Sequence, residues 1–220
     1  MTAAAILVHP DIRAAIRTRL LTLEMVSTGV LTVLSASGYV FSRSAGSFVT
    51  DGFAIGDEVM PSGFANSANN ARALITALSA SAMTVDRALT TEAAGASATI
   101  KAQLPQGRKW EGQAYAPTKG QRYISEMVRS IDSTVRALGD GGTISHLLTA
   151  NFTLNYPSGK GTLGIERMAG ALLYLFRPSV RMTYGANSAV ITKAERASLL
   201  EAPDWLSIPV IITLVAYTSN

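Results

Sequence analysis

The chain has 220 residues, 48% of them hydrophobic and 15% charged, which is enough apolar material for one large core or two small ones and excludes global disorder. It has no cysteine, which removes disulfides, thiolate metal sites and a cysteine nucleophile together. A net charge of +4 and a pI near 9.5 make it mildly basic, compatible with nucleic acid or an acidic partner without requiring either.

Residues 1–8 are short and apolar but lack the basic start and cleavage pattern of a signal peptide. After Pro10, the residues Ile12, Ile16, Leu20 and Leu23 recur at helical spacing and predict a helix that opens at His9-Pro10-Asp11. Arg13, Arg17 and Arg19 fall elsewhere on its wheel, as a solvated face or as a ridge that contacts phosphate.

From residue 26 to residue 103 the pattern changes. Short β-rich runs are expected at residues 30–34, 39–42, 57–60, 74–78, 83–86 and 98–102, punctuated by Gly, Asn and Ser. Many short strands with frequent turns predict a small barrel or sandwich. Arg43, Arg72, Arg87 and Lys101 here face Asp51, Asp57, Glu58, Asp86 and Glu92, a net charge of −1 that leaves +5 for the rest of the chain.

The last segment reads as mixed helix and strand. An irregular approach holding Pro105 and Pro117 leads to a strand at residues 122–131, where Ile124 and Val128 alternate with Tyr123 and Met127. A Gly-rich turn at residues 138–143 precedes the clearest strand of the chain. There Leu148, Ala150, Phe152, Leu154 and Tyr156 alternate with Thr149, Asn151, Thr153 and Asn155, one face for a core and one polar. A helix is expected at residues 161–177, with Ile165, Met168, Ala169, Leu172, Leu173 and Phe176 as its apolar stripe and Pro178 as its stop. Strands at residues 179–184, 189–193 and 208–217 complete the chain. The apolar run at 208–216 is too short to span a bilayer, which takes about 20 residues, so the chain reads as soluble.

The turn Tyr156-Pro157-Ser158-Gly159-Lys160-Gly161-Thr162 has the look of a phosphate-binding loop, and it fails the test. The position that requires a first glycine is Leu154, the residue after Lys160 is Gly161 rather than a hydroxyl, and Pro157 removes an amide. The alternative is a strand-to-helix turn in which Ser158 or Thr162 caps the helix. His9 and His146, the two histidines, have no carboxylate or second histidine at ligand spacing, so no metal or catalytic constellation is expected. The three carboxylates of Asp51, Asp57 and Glu58 lack the regular oxygen spacing of a calcium loop. Tyr39, Phe41, Phe48, Phe53 and Phe64 are either a sugar-stacking set or core.

With the β-rich piece set aside, the order is helix, proline-containing approach, strand, Gly-rich turn, long alternating strand ending in Tyr156-Pro157, helix and final strands. This order, carried by the stretches KGQRYISEMVRSID, ISHLLTANFTLNYPSGKGTLGIERMAGALLYLF and DWLSIPVIITLVAYT, resembles the tail terminator family of long-tailed, lambda-like phages. The piece between resembles a small β-module of phage tail-associated proteins, through Gly46-Ser47-Phe48, Asp51-Gly52-Phe53, Gly56-Asp57 and the run Ser62-Gly63-Phe64 to Asn69-Asn70. Together they imply an α+β chain: a mixed or antiparallel sheet packed by two helices over residues 1–25 and 104–220, with an inserted all-β domain at 26–103.

The resemblance implies a virion protein of the tail or neck, assembled in the host cytoplasm, with no catalytic residue and no cofactor. It implies a homo-oligomer, a ring of six that caps the head-proximal end of the tail tube, stops its growth and meets the head connector. DNA would pass through the ring without specific binding. A tail tube, tail-completion or head–tail joining subunit is the alternative, and a nucleotide- or nucleic-acid-acting enzyme a distant one. The residues expected at subunit contacts are Arg13, Arg17, Trp110, Tyr115, Lys160, Glu166 and Arg167.

Overall fold

A computed structural model describes residues 8–105, 107–137, 142–159, 161–185 and 187–219. Its residues divide into two compact units, Glu24–Leu104 and the combination of Met1–Leu23 with Pro105–Asn220.

The unit Glu24–Leu104 is one six-stranded sheet. Its strands are β1 (Glu24–Ser27), β2 (Leu34–Arg43), β3 (Glu58–Ser62), β4 (Ala73–Leu78), β5 (Ala82–Glu92) and β6 (Thr99–Gln103), in the order β1-β6-β3-β4-β5-β2, every neighbour antiparallel. The first and last strands pair, with Glu24 opposite Gln103, so the chain enters and leaves the unit on adjacent strands. Register shifts in the β1–β6, β2–β5 and β4–β5 pairs are bulges, which sharpen twist and bend the sheet round a single core. That core holds Leu34, Phe41, Phe48, Phe53, Val59, Phe64, Ile75, Met83 and Ile100. Four of the five aromatics considered for sugar stacking are therefore buried, each contributing about 1.5–3 kcal/mol of hydrophobic stabilisation, and Tyr39 alone of the five is exposed. The run at 30–34 is not the strand its residues suggested. Only an isolated bridge from Leu31 to Ala98 and the first residue of β2 fall in it, after a turn at Gly29.

The motif residues of this unit tie its loops. Arg43 pairs with Asp51 and lies over the Phe48 ring, and Phe48 meets Phe53 edge-on. Asp57 accepts the Ala54 N–H at 2.9 Å and Glu58 pairs with Arg72. The three carboxylates weighed as calcium ligands thus each serve a separate local contact. Asn69, fully buried in the 3-10 turn Ser67–Asn70, donates to the Thr90 carbonyl and to Glu92, and accepts the Thr90 N–H. Glu92 also accepts the Ala65 and Asn66 N–H groups, and Asn70 closes a two-way bond with the Phe64 backbone.

The other unit is built on a seven-stranded sheet. It comprises α1 (Val8–Leu21), β7 (Gly107–Lys109), β8 (Tyr123–Val135), β9 (Thr143–Pro157), α2 (Leu163–Leu175), β10 (Arg181–Tyr184), β11 (Asn187–Arg196), β12 (Leu200–Glu201) and β13 (Trp205–Ser219). The order is β10-β11-β13-β9-β8-β7 with β12 on β13, and only β7–β8 is parallel among these pairs. Cross-strand register puts Ile124, Leu154 and Ile208 in one row and Val128, Ala150 and Ile212 in another. α1 packs on β10, β11 and β13, α2 on β9, β11 and β13, and the helices touch each other. Ile12, Ile16 and Leu20 of α1, with Ile165, Met168, Ala169 and Leu172 of α2, fill the core, and Phe176 meets Phe152 at 5.2 Å. No helix of the described residues is long and apolar enough to cross a membrane.

The α+β expectation is corrected here: strands take 51% and helix 15% of the described residues, so the class is mostly β. The two helices are the anticipated ones; the difference lies in strand length. β8 runs four residues past the expected end at 131, and β9 begins at Thr143 rather than Leu148. Those added residues carry no apolar alternation, and backbone pairing to the next strand is what makes them strand. Side-chain bonds support them: His146 bridges Ser133 and Thr218 through its two ring nitrogens, both at 2.9 Å.

Gly63 has φ +83°, and a Cβ there would collide with the Ser97 carbonyl. Gly63→Ala is expected to cost about 1–3 kcal/mol, read as a lower urea midpoint with an unchanged slope.

Candidate functional site

The structure gathers three of the expected contact residues at one corner, where α1, β8 and the approach to β8 meet. β8 alternates Ile124, Glu126 and Val128 on the helix-covered face, which puts one carboxylate among apolar side chains. Arg17 reaches it from α1, Nε to Oε2 at 2.7 Å, and the Glu126 side chain has no exposed surface. One turn earlier on α1, Arg13 pairs with Glu111 at 3.0 Å. Trp110 lies under the Arg17 guanidinium at 5.1 Å from its ring centre. Arg19 donates to the Leu175 carbonyl at 2.9 Å. The arginines of α1 are therefore neither a solvated face nor a phosphate ridge; each is bound to a partner within the unit, because α1 lies on a sheet with a carboxylate on its inner face.

Burial pushes the Glu126 carboxyl above the usual carboxylate range, against the hydrogen bond and charge of Arg17 and the charge of Arg13. Glu126 Oε1 and Arg17 Nη2 are both buried without a hydrogen-bond partner among the described residues, so the pair is held by one strong bond rather than a bidentate fork. His9 is lowered by burial and by Arg13, with Glu111 and the Val128 carbonyl acting in the opposite sense. A cleft of about 340 Å³ beside this corner is lined by Lys109, Trp110, Glu111, Ser125, Met127 and Asn151 among others. No cluster of three or more potential metal ligands occurs among the described residues. The chemistry available here is ion pairing and aromatic packing, the means of holding a segment in place.

The remaining expected contact residues lie elsewhere in the unit. Tyr115 packs on Tyr123 at 5.5 Å, and Tyr123 meets Trp205 edge-on at 5.1 Å. Burial raises both tyrosine hydroxyls. Glu166 of α2 pairs with Arg196 of β11, and Arg167 beside it is half-buried. Lys160 lies outside the described residues. The turn that contains it is tied to the 203–204 loop: the Ser158 N–H donates to the Asp204 carbonyl and its hydroxyl to the Pro203 carbonyl. Neither Ser158 nor Thr162 caps α2 through its side chain, contrary to the expectation, since Ser158 is spent on that loop and Thr162 already has helical backbone angles.

Sequence reasoning missed Glu111 and Glu126. The readable signal for Glu126 was its place in the apolar phase of a strand, together with arginines one turn apart on an otherwise apolar helix. Glu111 lies in an irregular stretch and carried no such signal.

The unit is thus a sheet packed by two helices, with a corner where ion pairs and an aromatic ring tie α1 to β8 and its approach. Residues 77–213 match the family model described as phage tail terminator protein, well over half of the chain. The chain belongs to this family, and is a structural protein of a phage tail. No curated protein matches it. One solved structure is similar over 53% of this chain and 79% of its own, at 20% identity and a TM-score of 0.39.

Replacing Arg17 by Met strands a buried carboxylate and is expected to cost about 3–5 kcal/mol near neutral pH, less in acid where Glu126 takes up a proton. Because the folded-state pKa of Glu126 is raised, the folded chain keeps this proton over a pH window in which the unfolded chain has lost it, so stability falls as pH rises through that window. Glu126→Gln should remove this slope while leaving that of His9, seen as a pH-dependent difference in Tm between variant and parent.

Proposed function

We propose that this protein is the terminator of its tail: a ring of six copies seated on the head-proximal end of the tail tube. It stops tube growth and offers its other face to the head connector, with DNA passing through the lumen unbound. The observation that carries this is the family match over residues 77–213. A ring fits the task, since a head-to-tail contact repeated round an axis closes without leaving an edge for further growth. On this reading residues 1–25 and 104–220 are the working core, residues 26–103 an inserted module, and the protein resides in the virion tail after assembly in the host cytoplasm.

The subunit contact would draw on two surfaces. One is the α1 corner, where Arg13 and Arg17 hold Trp110 and its segment in shape; Tyr115, elsewhere in the unit, and Lys160, outside the described residues, are expected to join the contact. The other is the outward side of α2, with Glu166, Arg167 and Tyr174. Tyr174 is 72% exposed and carries Arg177 stacked at 4.7 Å, an aromatic surface of the kind that concentrates at interfaces.

Light scattering of the purified chain should give about six times its 23.1 kDa mass, and electron microscopy a central hole. A monomer at all concentrations, alone and with its tail tube protein, defeats the ring. Tyr174→Arg is expected to lower the assembled fraction at a given concentration without lowering Tm.

A further inference from the structure

A strand at the rim of a sheet points alternate N–H and C=O groups outward, and a bare rim pairs with any strand it meets. β8 is such a rim. β7 covers its outer edge only at residues 123–125, and past Ser125 no strand pairs with that edge among the described residues. From Arg129 to Val135 every residue of β8 is exposed, including Ile131 and Val135 at 57% and 51%. Long, exposed and partly apolar, this edge is suited to unwanted association.

At Val128 the rim is closed by side chains. The Val128 N–H donates to Glu111 Oε2 at 2.9 Å, and its carbonyl accepts from Arg13 Nη2 at 3.4 Å. Glu111 and Arg13 are paired with each other. One residue of the rim is thus given an acceptor and a donor, which is what the backbone of an adjoining strand would give it. Farther along, Asp132 accepts the Ser133 N–H, and the β8–β9 register slips between Ser130 and Asp132, a bulge that bends the edge. The carboxylate that closes the rim comes from the approach to β8 and the guanidinium from α1, so the closure depends on those two segments staying docked.

We propose that Glu111 and Arg13 form a plug that keeps the β8 rim from pairing with an edge strand of a second copy of this chain. The plug does not rest on the ring reading, because a chain that assembles through other faces, or not at all, still needs this rim shut.

The test compares Glu111→Ala with the parent chain by light scattering over a concentration series and by amide exchange. Losing the acceptor should speed exchange at Val128 by about tenfold, the worth of one hydrogen bond. The mass should climb with concentration above the parent value, whatever that value is. Glu111→Gln retains an acceptor and should keep the parent mass. Ile131→Lys added to Glu111→Ala should return the mass to the parent value, since a charge on the rim opposes pairing. Fast exchange at Val128 with unchanged mass overturns the proposal, as does growth that Ile131→Lys fails to reverse. If Glu111→Ala does not fold, Glu111→Leu, which also removes the acceptor, is carried through the same series and read by the same outcomes.

Discussion

The pairing of β9 with β13 is the constraint on which the larger unit depends. The two strands are fifteen residues each and pair from Thr143 opposite Ser219 to Pro157 opposite Trp205 without a register shift. Side chains alternate faces with a period of two, so an unbroken register keeps Leu148, Ala150, Phe152 and Leu154 of β9 on the same side as Ile208, Val210, Ile212 and Leu214 of β13. That side is the floor on which both helices rest. A slip of one residue would turn Leu148, Phe152 and Leu154 outward and leave the helices nothing to cover. β8 and β11 extend the same floor on either side, each with one bulge near the end of its useful length.

The floor also explains why a charge could be placed in the interior. Glu126 occupies a position that geometry assigns to an apolar side chain, and it survives there because Arg17 of α1 lies directly above it. A buried ion pair is weak support for stability, since desolvation of both charges offsets much of their attraction. Its value is in position: the seating of α1 that buries its apolar stripe also satisfies Glu126, Glu111 and the Leu175 carbonyl at once. The pair selects the seating of the helix more than it strengthens it.

Much of this was legible in the sequence and the failures have local causes. The strict alternation from Leu148 to Tyr156 gave the central strand, and the 3.6-residue stripes gave both helices and nearly all their buried residues. The strand extensions were not legible, because Ser133, Thr134 and Ser145 have no periodicity and become strand only when a neighbour pairs them. β1 was hidden for the same reason, four residues between a helix and a turn with no pattern of their own. The arginines of α1 were visible as charges, but their partners lie roughly a hundred residues away and are read only once the sheet is assembled. The corner at Trp110 was marked by its aromatic residue alone.

The pairing of β1 with β6 has a consequence for how such a chain arises. Glu24 and Gln103 face each other across adjacent strands, about 5 Å apart in such a pair. A stretch of some eighty residues that starts and finishes at neighbouring points makes almost no demand on the spacing of the flanking segments. It can be gained, lost or exchanged in one genetic event, with a short linker serving in its stead. Size variation among relatives is therefore expected to occur at this seam, in whole modules rather than by gradual lengthening of a loop.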